Sequence, residues 1–312
     1  MSVPARVASL EGTAERGLDG IARLVRRGRP LGLDAQDRLW SLLLSLPMTL
    51  FLFIFFIVPF AFIVLFAVDY YNDYYQVAGT LGLDNFRAVW IPSTATLFGK
   101  TALAAGTATA FCFVLAYPAA YYIAWQPARR RELLVMLLII PFWTSFLLRT
   151  YSLMTIFGEN GLANQALAYF GVPAVFEVRN LWSVIWAETY TFMPFMVLPL
   201  YATLERMNRS AIEASYVLGA GPVRTFLRII LPLSVPGILA GSLLVFIIAM
   251  GELVIPALVG GVDGGYLLGN AIDETHSQLP GFASALGVLF MLIVFAVSIA
   301  YIRFVGRGGL RL

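Results

Sequence analysis

Six apolar stretches run along the chain, at about 41 to 68, 96 to 125, 133 to 157, 181 to 203, 235 to 258 and 282 to 304, separated by short polar segments. Each is long enough to cross a hydrocarbon core of roughly 30 Å, which takes about 20 helical residues. No alternation of period two runs through them, so a barrel is not indicated. A backbone facing lipid must satisfy its hydrogen bonds within its own segment, and the pattern therefore predicts helices. The expected fold class is all-α: a polytopic membrane protein with about six transmembrane helices.

Arginine placement predicts the orientation. Seven arginines precede the first stretch, Arg129, Arg130 and Arg131 lie between the second and third, Arg206, Arg209, Arg224 and Arg228 lie between the fourth and fifth, and Arg303, Arg307 and Arg311 end the chain. Only Arg87, Lys100, Arg149 and Arg179 fall elsewhere. Basic loops stay in the cytoplasm, so both termini are expected there, which an even number of spans requires. Residues 1–40 form a basic N-terminal segment, and 41–312 a single transmembrane domain. Within the first segment, Leu18, Ile21, Leu24 and Val25 alternate at helical spacing with arginines. A helix on the inner membrane surface and a disordered basic tail both fit that spacing. The first apolar run is too long for a signal-peptide core and is expected to remain as an anchor. The segments 69–92 and 259–281 then lie outside; Tyr70, Tyr71, Tyr74, Tyr75 and Trp90 suit an interfacial aromatic belt.

Composition agrees and removes alternatives. With 60% hydrophobic and 12% charged residues and a mean hydropathy of +0.81, no sizeable soluble domain fits beside the spans. The net charge of +3 is explained by topology, so nucleic acid is not an expected partner. One cysteine, Cys112, and one histidine, His276, allow neither an intramolecular disulfide nor a Cys/His metal cluster. Cys112 is expected between helices and His276 in solvent. The single lysine, Lys100, belongs to no Gly-x-x-x-x-Gly-Lys-Ser/Thr loop, so this chain is expected to hold no nucleotide and no other cofactor. No nucleophile and base pair is available for an enzyme in the membrane.

Charged groups inside apolar spans are costly and mark functional candidates. Arg149, Glu188 and Glu252 are such groups, and Tyr190 lies two positions from Glu188. Glu188 admits a substrate contact or a bond to a neighbouring helix. At 1.5 Å per residue Arg149 lies roughly 24 Å along its helix, near the outer interface, where an ion pair or a lipid headgroup would hold it. Pro118, Pro141, Pro194, Pro199 and Pro256 are expected to interrupt the spans. These residues alone also admit an ion-gradient transporter or channel with Glu188 and Glu252 as relay.

The loop 205–232 carries a sharper signal: Glu213-Ala214-Ser215-Tyr216-Val217-Leu218-Gly219, nine residues, then Ile229-Ile230-Leu231-Pro232. Residues 207–218 can form a short helix on which Ala211, Ala214 and Ser215 keep one face small. Gly219 can turn the chain, 223–230 can form a second helix carrying Arg224 and Arg228 one turn apart, and Pro232 ends it. This pattern resembles the signature loop of permeases of binding-protein-dependent ABC importers, Glu-Ala-Ala, three residues, Gly, nine residues, Ile-x-Leu-Pro, with Ser215 replacing the second alanine.

Pro141-Phe142-Trp143-Thr144-Ser145, the run from Met193 to Tyr201, and Gly251-Glu252-Leu253-Val254-Ile255-Pro256 are similar to the spermidine/putrescine branch of that family. The resemblance implies the type I ABC importer transmembrane fold in a bacterial inner membrane, acting on a small, cationic solute such as a polyamine. Glu188, Glu252 and Asp273 are acids compatible with such a cargo. It implies docking of an ATPase dimer, holding ATP and Mg, on Glu213, Ala214, Ser215, Leu218, Gly219, Arg224 and Pro232. A second homologous permease subunit and a periplasmic or extracellular solute-binding protein are the other implied partners, besides the lipid bilayer.

Overall fold

The computed structural model describes residues 35–71, 77–173, 179–261 and 264–309, with side chains for 44–68, 82–173, 179–261 and 264–303. The N-terminal basic segment lies outside them. The chain forms two compact units, the first up to Ala61 and the second from Phe62 onward. In the first, α1 (Ala35–Leu52) continues into a π-helical turn at Phe53–Ile57. Its side chains from Leu50 to Ile57 are all exposed aliphatic or aromatic groups, which suits a lipid surface.

The second unit contains the end of α2 (Val58–Val68) and a short antiparallel ribbon, β1 (Asp69–Tyr71) with β2 (Val77–Leu81). Helices follow: α3 (Asp84–Val89), α4 (Pro92–Ala124), α5 (Ala128–Ile139), α6 (Phe146–Phe157), α7 (Leu162–Tyr169) and α8 (Leu181–Glu205). Then come α9 (Arg209–Val217), α10 (Pro222–Leu233), α11 (Val235–Met250), α12 (Leu268–His276) and α13 (Pro280–Gly309). Apart from the ribbon, the all-α expectation holds.

Three of the expected spans are continuous helices, Leu44–Val68, Pro92–Ala124 and Pro280–Arg303. The stretch 133 to 157 is not one helix. A tight turn at Ile140–Trp143 ends α5, Thr144 and Ser145 are extended, and the helical stretch Phe146–Tyr169 leaves at 88°. Pro141 supplies the cause, since it has no N–H to continue the helical ladder. Arg149, placed by a ruler along a straight helix, stands instead beyond this bend. The stretch 235 to 258 also differs: α11 stops at Met250, and a π-helical turn at Pro256–Gly260 follows a break. α10 and α11 meet at 62°. α8 corresponds to the stretch 181 to 203 and at about 37 Å is long enough to span, but Glu188, Thr189 and Thr191 make it less apolar than the rest. Pro118, Pro194 and Pro199 lie inside unbroken helices, so three of the five prolines expected to interrupt spans do not.

The core is the contact of α4, α8 and α11. Ala104, Ala108, Cys112, Ala116, Ala120 and Ala124 recur every fourth residue of α4, all buried, which puts one small-residue face toward its neighbours and lets backbones approach closely. α11 approaches α8 closely at Gly237, where a Cβ would lie 2.8 Å from the Pro199 carbonyl oxygen, and at Gly241, where it would lie 2.8 Å from the Met196 sulfur. A second cluster, Ala67, Val89, Leu268, Ala285 and Leu286, ties α2, α3, α12 and α13 together.

Candidate functional site

α9 and α10 form a helical hairpin between α8 and α11. The Asn208 side chain accepts from the Ser210 N–H at 3.0 Å and caps α9. At the other end Gly219 N–H reaches the Tyr216 carbonyl and Ala220 N–H the Ser215 carbonyl, both at 3.0 Å, the bond pair that closes a helix over a left-handed residue. Gly219 is that residue, with φ of +80°, a conformation that costs a side chain bearing a Cβ. Pro222 then opens α10 at its first position.

Inside the hairpin the Ser215 hydroxyl donates to the Ile212 carbonyl at 2.7 Å and lies 2.9 Å from the Thr225 hydroxyl. Each hydroxyl has one proton, so Thr225 donates to Ser215. Both are buried. The departure from the alanine pattern thus fastens the two helices. It also corrects the expected small face: Ser215 turns inward, Ala211 is half-buried, and Ala214 and Glu213 are exposed. The hairpin tip is apolar and bare, with Val217 87% and Leu218 86% exposed and Val223 beside them. Arg224 is exposed, Pro232 is half-buried within α10, and the bend falls two residues later at Ser234.

Three contacts seat the hairpin on the helical core. The Phe226 ring meets Tyr117 edge-on at 5.6 Å and Tyr121 at 6.2 Å. Ser234 Oγ donates to the Leu231 carbonyl at 2.8 Å and lies 3.0 Å from the Tyr117 hydroxyl, which is therefore the donor between them. At the base, Arg131 pairs with Glu205 at 3.0 Å, and the Arg209 guanidinium lies 5.1 Å from the Trp125 ring centre.

The span-interior candidates are dispersed. Glu188 is fully buried in α8, and neither of its oxygens has a hydrogen-bond partner among the described residues; of its two alternatives, the bond to a neighbouring helix is not formed among them. Thr191 Oγ1 shares that state. Tyr190 is half-exposed on another side. Arg149 lies over the Phe142 ring at 4.5 Å, and among the described residues its Nε and Nη1 are buried without a hydrogen-bond partner and it makes no ion pair. Glu252 acts locally, on its own stretch of backbone. Its Oε1 accepts from the Val254 N–H at 2.9 Å and the Ile255 N–H at 3.2 Å, capping the turn after α11.

Near this cap lies a cleft of about 490 Å³ lined by Leu147, Leu253, Tyr266, Asn270, Asp273 and Glu274. Tyr266 donates to Glu274 at 2.7 Å. Burial, this bond and the Glu274 charge push the phenol up to about 12. His276 is exposed and Cys112 is buried between α4 and α8, its thiol donating to the Thr189 carbonyl. Tyr117, Thr225, Phe226 and Ser234 were not visible as site residues in the sequence.

The family described as binding-protein-dependent transport system inner membrane component matches residues 114–308. The spermidine/putrescine transport system permease protein PotB of Escherichia coli (strain K12) is 35% identical over 226 residues, 71% of this chain and 82% of that protein. Its namesake in Haemophilus influenzae is 33% identical over 71% and 78%. The inner membrane ABC transporter permease protein YdcU of Escherichia coli (strain K12) is 29% identical over 75% and 78%. Among solved structures, a chain of a bacterial alginate ABC transporter, in complex with an alginate pentasaccharide-bound periplasmic protein, matches 89% of this chain and 97% of its own. Its TM-score is 0.72 at 17% identity, a likeness of fold.

Proposed function

The chain belongs to the family of binding-protein-dependent transport system inner membrane components, and from that premise we propose how its parts divide the work of an ABC importer's permease subunit. The hairpin of α9 and α10 is the docking element for an ATPase dimer. The observation that carries this is the bare apolar tip at Val217 and Leu218, standing on a hairpin whose buried hydroxyls, Ser215 and Thr225, are bonded to each other. Such a surface gains from being covered by a partner, and the exposed Glu213 offers that partner a carboxylate.

In this reading the hairpin and both termini face the cytoplasm, as the arginines require. ATP and Mg bind the ATPase, a second homologous permease completes the path, and a periplasmic or extracellular binding protein delivers the solute. The cargo is a small cation of the polyamine class. Relatives named for spermidine and putrescine support this, as do Asp273 and Glu274 beside the cleft at the end of the subunit away from the hairpin.

The test is co-purification and transport in one preparation. Leu218→Asp or Glu213→Ala should insert into the membrane yet lose the ATPase, and ATP-dependent uptake of labelled spermidine should fall with it. Full retention of both would overturn the docking assignment. Uptake abolished by a protonophore at constant ATP would favour a gradient-driven transporter. Robust ATP-dependent transport that excludes spermidine and putrescine would overturn the polyamine assignment alone.

A further inference from the structure

We propose that Tyr117 is a positioning residue through which movement of the docking hairpin enters the helical core, and that α4 is the helix it moves. The inference rests on the docking reading and deepens it.

The contacts form one unbroken route. α9 is fastened to α10 by the Thr225 to Ser215 hydrogen bond, so the two helices answer as one body to a push at the tip. The next residue of α10, Phe226, has its ring edge-on to Tyr117 and Tyr121 of α4. At the far end of α10, the 62° change of direction into α11 falls at Ser234. That serine gives its own proton to the Leu231 carbonyl and receives the Tyr117 proton. The bend is therefore pinned to α4 at its pivot. A change of angle between α10 and α11 must carry Tyr117 with it or break this bond.

Breaking it is unfavourable. Tyr117 is 6% exposed and Ser234 fully buried, and a buried donor left without an acceptor loses its hydration with no replacement. The alternative, that Tyr117 only fills space, does not explain why a hydroxyl rather than a phenylalanine ring stands at the bend. Motion reaching α4 at Tyr117 travels along a rigid helix of 33 residues to its opposite end, roughly 36 Å away at Ser93. The coupling is thus a physical element that two sites bias, rather than spatial proximity alone.

The experiment uses the assembled transporter, this chain with its second permease and ATPase, reconstituted in lipid nanodiscs. Ser93→Cys places a thiol in the exposed first turn of α4, while the native Cys112 is buried and contributes little labelling. Maleimide labelling rates are compared without nucleotide and with ATP plus orthovanadate. The rate should differ between the two states, and Tyr117→Phe should shrink the ratio roughly five-fold, the equivalent of about 1 kcal/mol for one buried hydrogen bond. Ser234→Ala should do the same, and the double variant no more. A purely structural loss would lower stability in both nucleotide states and leave the ratio alone.

A ratio unchanged in Tyr117→Phe, additive losses in the double variant, or no nucleotide effect in the unsubstituted transporter would each overturn the proposal. Loss of the ATPase from the Tyr117→Phe preparation would overturn it too, by placing Tyr117 in docking. Absence of the ATPase even without that substitution would overturn the docking reading, and this one with it.

Discussion

At Ser234 the start of α11 is fastened to α4, whereas at Glu252 the chain beyond its end is fastened to its own next residues and to α12. The first attachment uses the Tyr117 hydroxyl, 117 positions away in sequence, and the ring of Phe226 wedged beside it. In the second, Glu252 folds its carboxylate over the Val254 and Ile255 N–H groups, and Asn270 donates to the Leu253 carbonyl at 3.3 Å. Gly269 approaches so closely that a Cβ would lie 2.8 Å from the Glu252 carbonyl oxygen. One end can transmit a displacement because its contacts belong to different bodies. The other is held twice over: the Glu252 carboxylate closes on Val254 and Ile255, and Asn270 and Gly269 of α12 pack onto the same stretch.

The contrast can be broken from either side. Glu252→Ala should cost the most, about 2 to 3 kcal/mol, because it removes a charged acceptor shared by two backbone donors. Glu252→Gln keeps an oxygen in place and should cost clearly less, as read from unfolding midpoints in detergent. If Gln proves as damaging as Ala to stability, the carboxylate's charge and not its capping is what matters. Should Gln spare stability but abolish uptake, Glu252 serves the path as well as the fold.

Gly219→Val comes next. A β-branched residue at φ of +80° costs about 1 to 2 kcal/mol, confined to the hairpin. Hydrogen exchange should speed up in α9 while the segment after Glu252 keeps its protection; faster exchange at both would show that the two ends are not independent. Ser215→Ala, which restores the family's alanine, should cost about 1 kcal/mol by orphaning the buried Thr225 hydroxyl, and Ser215→Ala with Thr225→Val should recover part of it. A double variant no better than the single one would mean that packing, not the hydroxyl pair, holds the hairpin. Arg131→Ala removes a part-exposed ion pair with Glu205 at the hairpin base and should cost under about 1 kcal/mol, less at high salt.

Much of the hairpin was legible because its information is local. Gly219, the spacing to Pro232 and the amphipathic segments on either side needed only neighbouring residues, and the structure adds the left-handed φ and the capping bonds. The continuous spans were legible for a similar reason, since apolar length decides them. Apolarity, however, says where a segment is comfortable and not whether it is straight, so the 88° bend at Thr144 and Ser145 was missed. Pro141 was a signal for it, but Pro118, Pro194 and Pro199 carry the same signal inside unbroken helices, where close neighbours hold the backbone.

Tyr117 and Ser234 could not be paired from sequence, because nothing local distinguishes a tyrosine that bonds across the core from one at an interface. Glu188 and Glu252 looked alike as acids near apolar spans. Their difference, a buried carboxyl with no hydrogen-bond partner among the described residues against a cap, depends on which N–H groups the fold brings within reach.

The alanine face of α4 has a mechanical consequence. Alanine has no side-chain torsion to reset, so were α8 to shift along that face, Cys112, bonded to the Thr189 carbonyl, would be the one side chain of the row with a rotamer to exchange, and little ordering entropy would be redistributed. Interlocked leucines would instead resist in discrete steps, each requiring side chains to leave one hole and enter another. Where a helix must move repeatedly against its closest neighbour, a surface with few gear teeth keeps friction low and leaves the resting angle to be set by the few polar contacts along it.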